Sequence, residues 1–147
     1  MELKTLSALE IISAASSKIN EVDFENLTFG NVFTDHMLVC DYKDGAWQKP
    51  VIEPYAPFMI DPSSKVFHYG QAIFEGMKAY KDEQDDVWLF RPDENFHRFN
   101  KSASRMAMPE VPEDVFIGGL HKLLEIEKDW VKKGKGNTLY IRPFMIA

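Results

Sequence analysis

Cysteine is almost absent from this sequence: Cys40 is the one cysteine among 147 residues. A single cysteine forms no disulfide within its own chain and no cysteine-based metal site, which fits a reducing compartment such as the cytoplasm. The sequence also lacks an apolar run of the ~18 residues that a membrane-spanning helix needs. Its N-terminus lacks the pattern of an export signal. We therefore predict a cytoplasmic protein with no membrane partner.

The sequence also has fewer positive than negative residues, and it lacks the common catalytic motifs. Lys and Arg number 17 against 23 Asp and Glu, a formal net charge of −6, so nucleic acid is not an expected partner. There is no glycine-rich dinucleotide or P-loop motif and no G-x-S-x-G. The four histidines lack the spacing of metal ligands, and no metal site is predicted. What remains is a chain of one-domain length, 45% apolar, able to bury its own core.

Hydrophobic patterning divides the chain into an arm, residues 1–26, and a domain, residues 27–147. Apolar positions at loose helical spacing over residues 3–19 predict a helix or a frayed arm. In the domain, Asp44-Gly45 between two β-like runs predicts a hairpin, because this pair tolerates the positive φ of a tight turn. An acidic turn, residues 82–86, is expected to join the strands of a second hairpin.

Two helices and a last strand follow the hairpins. Asp93 is the predicted N-cap of a helix that ends near Met106, and residues 113–132 predict another. Residues 138–146 read as an edge or bulged strand, because they contain Pro143. This order predicts an α+β fold: an antiparallel sheet with two main helices packed on it. A chain end inside an apolar strand is unusual, and we expect the natural polypeptide to continue.

Two arginines carry chemical information. Along the last strand, alternation places Tyr140, Arg142 and Phe144 on one face, where the phenol and guanidinium could hold a carboxylate or form an ordinary surface pair. Arg98 lies on the polar face of its helix. A guanidinium there suits phosphate, although a solvated arginine is the alternative.

Three blocks resemble the N-terminal part of branched-chain amino acid aminotransferases. They are HYGQAIFEGMKAYK (68–81), LFRPDENFHRFNKSASRM (89–106) and TLYIRPFMI (138–146). FGNVFTDHM (29–37) and KDW (128–130) also match, so the resemblance covers residues 27–147 in order.

The resemblance implies the small N-terminal domain of the D-amino-acid-aminotransferase-like fold, a pyridoxal-phosphate family. It implies a homodimer with its active site between domains. It also implies amino transfer between leucine, isoleucine or valine and α-ketoglutarate, with glutamate as the product from the keto acid. Arg98 would bind the cofactor phosphate, and Tyr140 and Arg142 would face the substrate, with Arg142 recognising the distal carboxylate of α-ketoglutarate.

The same motifs imply three further substrate contacts. Phe29 and Phe74 would line the apolar side-chain pocket, and Tyr69 would reach the substrate in the neighbouring subunit. For Phe29 and Phe74, a plain core position is the alternative.

No catalytic residue is expected within the chain. The family's Schiff-base lysine lies in the C-terminal catalytic domain, which is absent from this sequence, and neither Lys78 nor Lys81 occupies its place. Two other functions stay open: a non-catalytic binding or dimerisation module, and a related enzyme such as a D-amino-acid transaminase or an aminodeoxychorismate lyase.

Overall fold

Short strands and short helices make up residues 9–147, the part of the chain that this computed structural model describes. The strands are β1 (Glu10–Ile11), β2 (His36–Val39), β3 (Tyr42–Lys43), β4 (Ala46–Trp47), β5 (Val51–Pro54), β6 (Ala72–Phe74), β7 (Met77–Lys81), β8 (Val87–Leu89), β9 (Leu139–Ile141) and β10 (Phe144–Ile146). The α-helices are α1 (Lys65–Tyr69), α2 (Pro92–Arg105) and α3 (Gly119–Ile126).

The strands pair in four small groups. Their orders are β1-β5-β2, β3-β4, β8-β7-β9 and β10-β6. All pairs are antiparallel except β1 with β5. The predicted α+β class is confirmed, although the pairing is divided among small sheets instead of forming one. Proline contributes to the division, because Pro50 and Pro143 offer no N–H at the points where β5 begins and where β9 gives way to β10.

Both predicted hairpins are present. Asp44 and Gly45 take the positive φ values 54° and 79° that the tight turn between β3 and β4 requires. In the second hairpin, Ala79 faces Leu89 and Lys81 faces Val87 across β7 and β8.

The helices differ from their predicted extents. Helix α2 starts at Pro92 with Arg91 as its N-cap, so the prediction of Asp93 as N-cap is wrong; Asp93 lies in the first turn. Proline takes the first helical position readily because its fixed φ suits the helix and its missing N–H is not needed there.

The second predicted helix is interrupted. A π-helical turn, Asp114–Gly118, precedes α3, and a 3₁₀ turn follows it at Lys128–Trp130. Gly119 allows α3 to approach β2 closely, since a Cβ there would come within 2.6 Å of a Leu38 methyl group.

The hydrophobic core lies between β6 and β7 on one side and α2, the π-helical turn and α3 on the other. Its buried members include Ile73, Met77, Ala79, Phe99, Ala103, Phe116, Leu120, Leu124 and Val131. No helix within residues 9–147 has the length and apolar character to cross a membrane.

The N-terminal segment begins with the short strand β1 and continues without an α-helix through the described residues up to a 3₁₀ turn at Ile19–Glu21. β1 pairs with β5, and the Ile12 N–H donates to the Ile52 carbonyl at 2.8 Å. The helical alternative is therefore wrong for residues 9–18, the arm alternative stays a prediction, and residues 3–8 lie outside the described part. Backbone pairing with β5 prevails over a weak helical periodicity. The boundary at residue 26 stays a prediction.

Candidate functional site

Tyr140 and Arg142 meet at the end of β9. Tyr140 is opposite Lys78 of β7, and an Nη2–H of Arg142 donates to the Tyr140 hydroxyl at 2.7 Å. Tyr140 is half-buried and Arg142 is exposed. Because the hydroxyl accepts from Arg142, its own proton remains able to donate to another acceptor. The phenol and the guanidinium that sequence alternation placed together therefore form one donor group open to solvent.

Two phenylalanines flank this donor group. The Phe29 ring meets the Tyr140 ring edge-on, with centroids 5.1 Å apart. The guanidinium carbon of Arg142 lies 4.5 Å from the centre of the Phe74 ring, a cation–π arrangement. Both phenylalanines are largely exposed. They are not core residues, so the core alternative is wrong for this chain, and their ring surfaces are free to contact an apolar ligand.

Gly76 explains how Tyr140 reaches its position. A Cβ atom at residue 76 would lie 2.2 Å from the Tyr140 hydroxyl oxygen, far inside contact distance. Any larger residue would displace the phenol. The glycine of the FEG sequence is thus needed for the close approach of β9 to β7, a role that sequence reasoning missed.

Arg98 lies on the exposed face of α2, as its position in the helical pattern predicts. It does not point freely into solvent: its Nε–H and one Nη2–H donate to the two carboxylate oxygens of Glu75 at 3.0 and 2.9 Å. The buried amide of Asn95, one helical turn earlier, donates to the same carboxylate at 2.8 Å. Burial raises the pKa of Glu75, but the hydrogen bonds from Arg98 and Asn95 and the positive charge of Arg98 outweigh it, so the pKa is lowered overall.

The two donor groups are joined through one short segment. The segment consists of Phe74, Glu75 and Gly76. Phe74 packs on Arg142 and Glu75 binds Arg98. Gly76, which has no side chain, leaves room for the Tyr140 hydroxyl. The Glu75 N–H also donates to the Pro143 carbonyl at 2.9 Å. Five of the six residues named from the resemblance therefore gather around residues 74–76.

Tyr69 is the sixth, and no hydrogen bond or ring contact joins it to that group within the described residues. It ends α1 with 81% of its surface exposed, and its ring centre lies 6.4 Å from that of His68. Its assignment to a neighbouring subunit stays a prediction.

Other chemistry is not assembled in the described residues. Within residues 9–147, no three His, Cys, Asp or Glu side chains converge as metal ligands. The Cys40 thiol donates to the Gln48 carbonyl, and burial, followed by the nearby charges of Asp41 and Asp114, raises its pKa. A thiol that stays protonated is a poor nucleophile.

Comparison with known proteins gives relatives but no family-model match. The chain is 56% identical to branched-chain-amino-acid transaminase 1 of Bacillus subtilis over 126 residues, 85% of this chain and 35% of the relative. It is 47% identical to branched-chain-amino-acid aminotransferase 2 of the same organism over 137 residues, 92% of this chain and 38% of the relative. A Mycolicibacterium smegmatis branched-chain-amino-acid aminotransferase is 44% identical over 135 residues, 90% of this chain and 37% of the relative.

The resemblance to branched-chain aminotransferases is confirmed. This chain spans slightly more than a third of the length of the curated relatives it matches. The matched length of 126 to 137 residues takes in most of the chain.

Proposed function

We propose that this chain supplies part of the active site of a pyridoxal-phosphate-dependent branched-chain amino acid aminotransferase. The proposed reaction moves an amino group between leucine, isoleucine or valine and α-ketoglutarate. The observation that carries the proposal is the exposed group formed by Phe29, Phe74, Tyr140 and Arg142. It combines apolar ring surface with a guanidinium and a phenol, which is what a site for both an aliphatic chain and a second carboxylate needs.

Arg142 is the residue proposed to distinguish the two substrate types. Its guanidinium lies against the rings of Phe74 and Tyr140, 4.5 and 5.1 Å from their centres. An aliphatic side chain would contact the ring surfaces of Phe29 and Phe74. The distal carboxylate of α-ketoglutarate would instead accept hydrogen bonds from Arg142 and from the Tyr140 hydroxyl.

Arg98 is proposed to hold the phosphate of the cofactor. The donor set fits such a group, because the guanidinium is largely exposed and Glu75 occupies one of its edges. Pyridoxal phosphate, when bound, supplies the electron sink for amino transfer. The contribution of this chain is to bind and orient the phosphate through Arg98 and the substrate through Arg142 and the aromatic rings.

A homodimer is part of the proposal. Large apolar side chains remain exposed on and around α1 and β10, namely Phe58, Met59, Phe67, Tyr69 and Phe144. Exposed apolar surface of this kind favours association, and Tyr69 would reach the neighbouring subunit's substrate from it. The single cysteine fits the cytoplasm as the place of action.

The lysine that would bind the cofactor covalently is not assigned to these residues. The resemblance places it in the part of the relatives that this chain does not span. We therefore expect no turnover by the 147-residue chain alone.

Steady-state amino transfer by the enzyme that carries this chain tests the proposal, with leucine and α-ketoglutarate as substrates. We expect ping-pong kinetics. Arg142→Ala should raise the KM for α-ketoglutarate about tenfold or more while changing the KM for leucine little, because one charge-assisted interaction is lost. Arg105→Ala, at an exposed arginine at the end of α2, is the matched control.

Three results would contradict the proposal. Equal losses for both substrates would remove the role of Arg142. Preference for D-alanine over leucine as amino donor would indicate a D-amino-acid transaminase. No amino transfer with any donor would favour a non-catalytic binding or dimerisation module.

A further inference from the structure

Two side chains of α2, Arg98 and Asn95, hold the Glu75 carboxylate. Its side chain is 14% exposed, whereas that of its partner Arg98 is 56% exposed. Two parallel hydrogen bonds of 3.0 and 2.9 Å join the carboxylate to the guanidinium. This paired geometry fixes the orientation of the arginine as well as its position.

Asn95 holds the carboxylate from the other side. It is buried, and its Nδ2 donates to Glu75 Oε2 at 2.8 Å and to the Gly76 carbonyl at 3.2 Å. Asn95 and Arg98 are three residues apart on α2 and therefore share a helix face. Asn95 thus ties the Glu75 carboxylate to α2, the helix that carries Arg98. It also ties α2 to Gly76, which lies against Tyr140.

The pairing leaves one edge of the guanidinium open. Arginine has five N–H donors, of which Glu75 uses Nε–H and one Nη2–H. Among residues 9–147, no acceptor binds Nη1. Three donors remain, two on Nη1 and one on Nη2. One donor from each of these nitrogens points outward at the end of the guanidinium, and these two parallel N–H bonds match two oxygens of a phosphate group.

We propose that Glu75 is a positioning residue that holds Arg98 with the end of its guanidinium turned outward to bind a phosphate monoester. This inference rests on the proposed function of Arg98 as the ligand of the cofactor phosphate. Glu75 itself touches no ligand. Glutamine at position 75 keeps the shape but places an amide NH₂ against one arginine N–H, so one of the paired hydrogen bonds is lost and the orientation of the guanidinium is no longer fixed.

NMR of the ¹⁵N-labelled chain tests the proposal, with pyridoxine 5′-phosphate as the probe. This compound has no aldehyde and so does not react with lysine, and pyridoxine without phosphate is the ligand control. The sequence has four arginines, so the Arg98 Nε–Hε signal is resolvable. Affinities in the variants are taken from backbone amides around Gly76.

We expect Glu75→Gln to weaken binding of pyridoxine 5′-phosphate about tenfold, because a guanidinium held by one hydrogen bond instead of two must lose more conformational freedom on binding. Its Arg98 Nε–Hε signal should also exchange faster with water before any ligand is added. Glu75→Asp, which retains a carboxylate, should recover part of the affinity. If the glutamine variant does not fold, the aspartate variant still tests the positioning role. In an Arg98→Ala background, Glu75→Gln should have no further effect.

Glu94→Gln is the matched charge control. Glu94 lies on the same helix, is exposed and pairs with Arg91 at 3.1 Å, so its removal deletes a nearby negative charge without touching the Arg98 contacts. Binding should be unchanged or slightly tighter in this variant.

The outcomes separate the inference from the function on which it rests. Unchanged binding in Glu75→Gln, or an equal loss with and without Arg98, would overturn the positioning role alone. No perturbation of the Arg98 signal by pyridoxine 5′-phosphate in the unaltered chain would contradict the cofactor role of Arg98 and the inference together.

Discussion

Glu75 and Glu127, two glutamates whose side chains are little exposed, each hold a basic side chain, and they do so in opposite ways. Glu127 is 3% exposed and accepts hydrogen bonds from His36 Nδ1 and from the Asp35 N–H. On the other side of the ring, His36 Nε2 accepts the Ala14 N–H at 2.9 Å. Both ring nitrogens of His36 are therefore occupied within the chain. Glu75 holds Arg98 by one edge and leaves the other edge exposed.

The difference is the one expected between a structural polar cluster and the proposed ligand-binding one. Around Glu127, hydrogen bonds join the N-terminal segment, β2 and the end of α3. Asp35, next to His36, adds to this by accepting hydrogen bonds from Lys18 N–H and Trp130 Nε1–H, both at 3.0 Å. Around Glu75 and Tyr140, side-chain donors have no acceptor among residues 9–147, and aromatic rings remain exposed. Unused donors beside exposed rings are what recognition of an external anion requires.

Removing the carboxylate of Glu127 should have the largest effect on folding. Glu127→Ala leaves the His36 ring and the Asp35 N–H without an acceptor in a buried place, so we expect a loss of about 3 kcal/mol in the free energy of unfolding. Glu125→Ala, an exposed glutamate that pairs with Lys122, should change it by less than about 0.5 kcal/mol. Urea unfolding of both variants gives the comparison. Similar losses would mean that the Glu127 cluster is not structural.

Gly76→Ala should have the next largest effect, and it should fall on the open site. The new methyl group displaces the Tyr140 hydroxyl and breaks its hydrogen bond to Arg142, at a cost of about 1–2 kcal/mol in unfolding free energy. Tyr140→Phe removes the clashing oxygen, so Gly76→Ala should cost clearly less in that background. An unchanged cost in the double-mutant cycle would show that the hydroxyl is not what the methyl group meets.

Lowering the pH should weaken the Glu75–Arg98 pair, and the resulting loss of unfolding free energy should be smaller than that caused by Gly76→Ala. The pKa of Glu75 is lowered in the folded protein, so its stabilising contribution is complete above the pKa of the unfolded chain and is lost as the pH falls through the folded value. The difference in unfolding free energy between the unaltered chain and Glu75→Gln should therefore shrink between about pH 6 and about pH 3. A difference independent of pH would contradict the charged pair.

Tyr69→Ala should have the smallest effect on folding. The side chain is exposed, so thermal unfolding of the chain should change by less than about 0.5 kcal/mol. The same substitution is expected to weaken substrate binding if the proposed dimeric enzyme forms, because the proposed contact is made in the neighbouring subunit. A strongly destabilised variant would assign Tyr69 to the domain's own packing instead.

Local patterns predicted the elements that depend on local physics. The Asp-Gly turn and the adjacency of Tyr140 and Arg142 follow from residues a few positions apart, and both are present. The N-terminal extended segment was missed because its conformation depends on pairing with β5, some 40 residues away. Helix α1 was missed for a similar reason: the Val66 N–H donates to the carbonyl of Ala147, at the far end of the chain.

In the candidate site, too, local patterns predicted some features, whereas contacts between distant residues were missed. Periodicity placed Arg98 on an exposed helix face, but no local pattern identifies Glu75 as its partner, since 23 residues separate them. The i, i+3 spacing of Asn95 and Arg98 was an available signal for a shared acceptor. The contact between Phe29 and Tyr140 joins distant parts of the chain, and the resemblance to a family suggested it where spacing did not.

Titration of the ¹⁵N-labelled chain with α-ketoglutarate tests the open site most directly. The Arg142 Nε–Hε signal should shift in a saturable manner, and those of Arg91 and Arg105 should not. Isobutyrate, which has one carboxylate on a branched aliphatic chain, should shift it less at the same concentration. Equal shifts of all the arginine signals, or none at Arg142, would contradict the assignment of this group as a carboxylate-binding site.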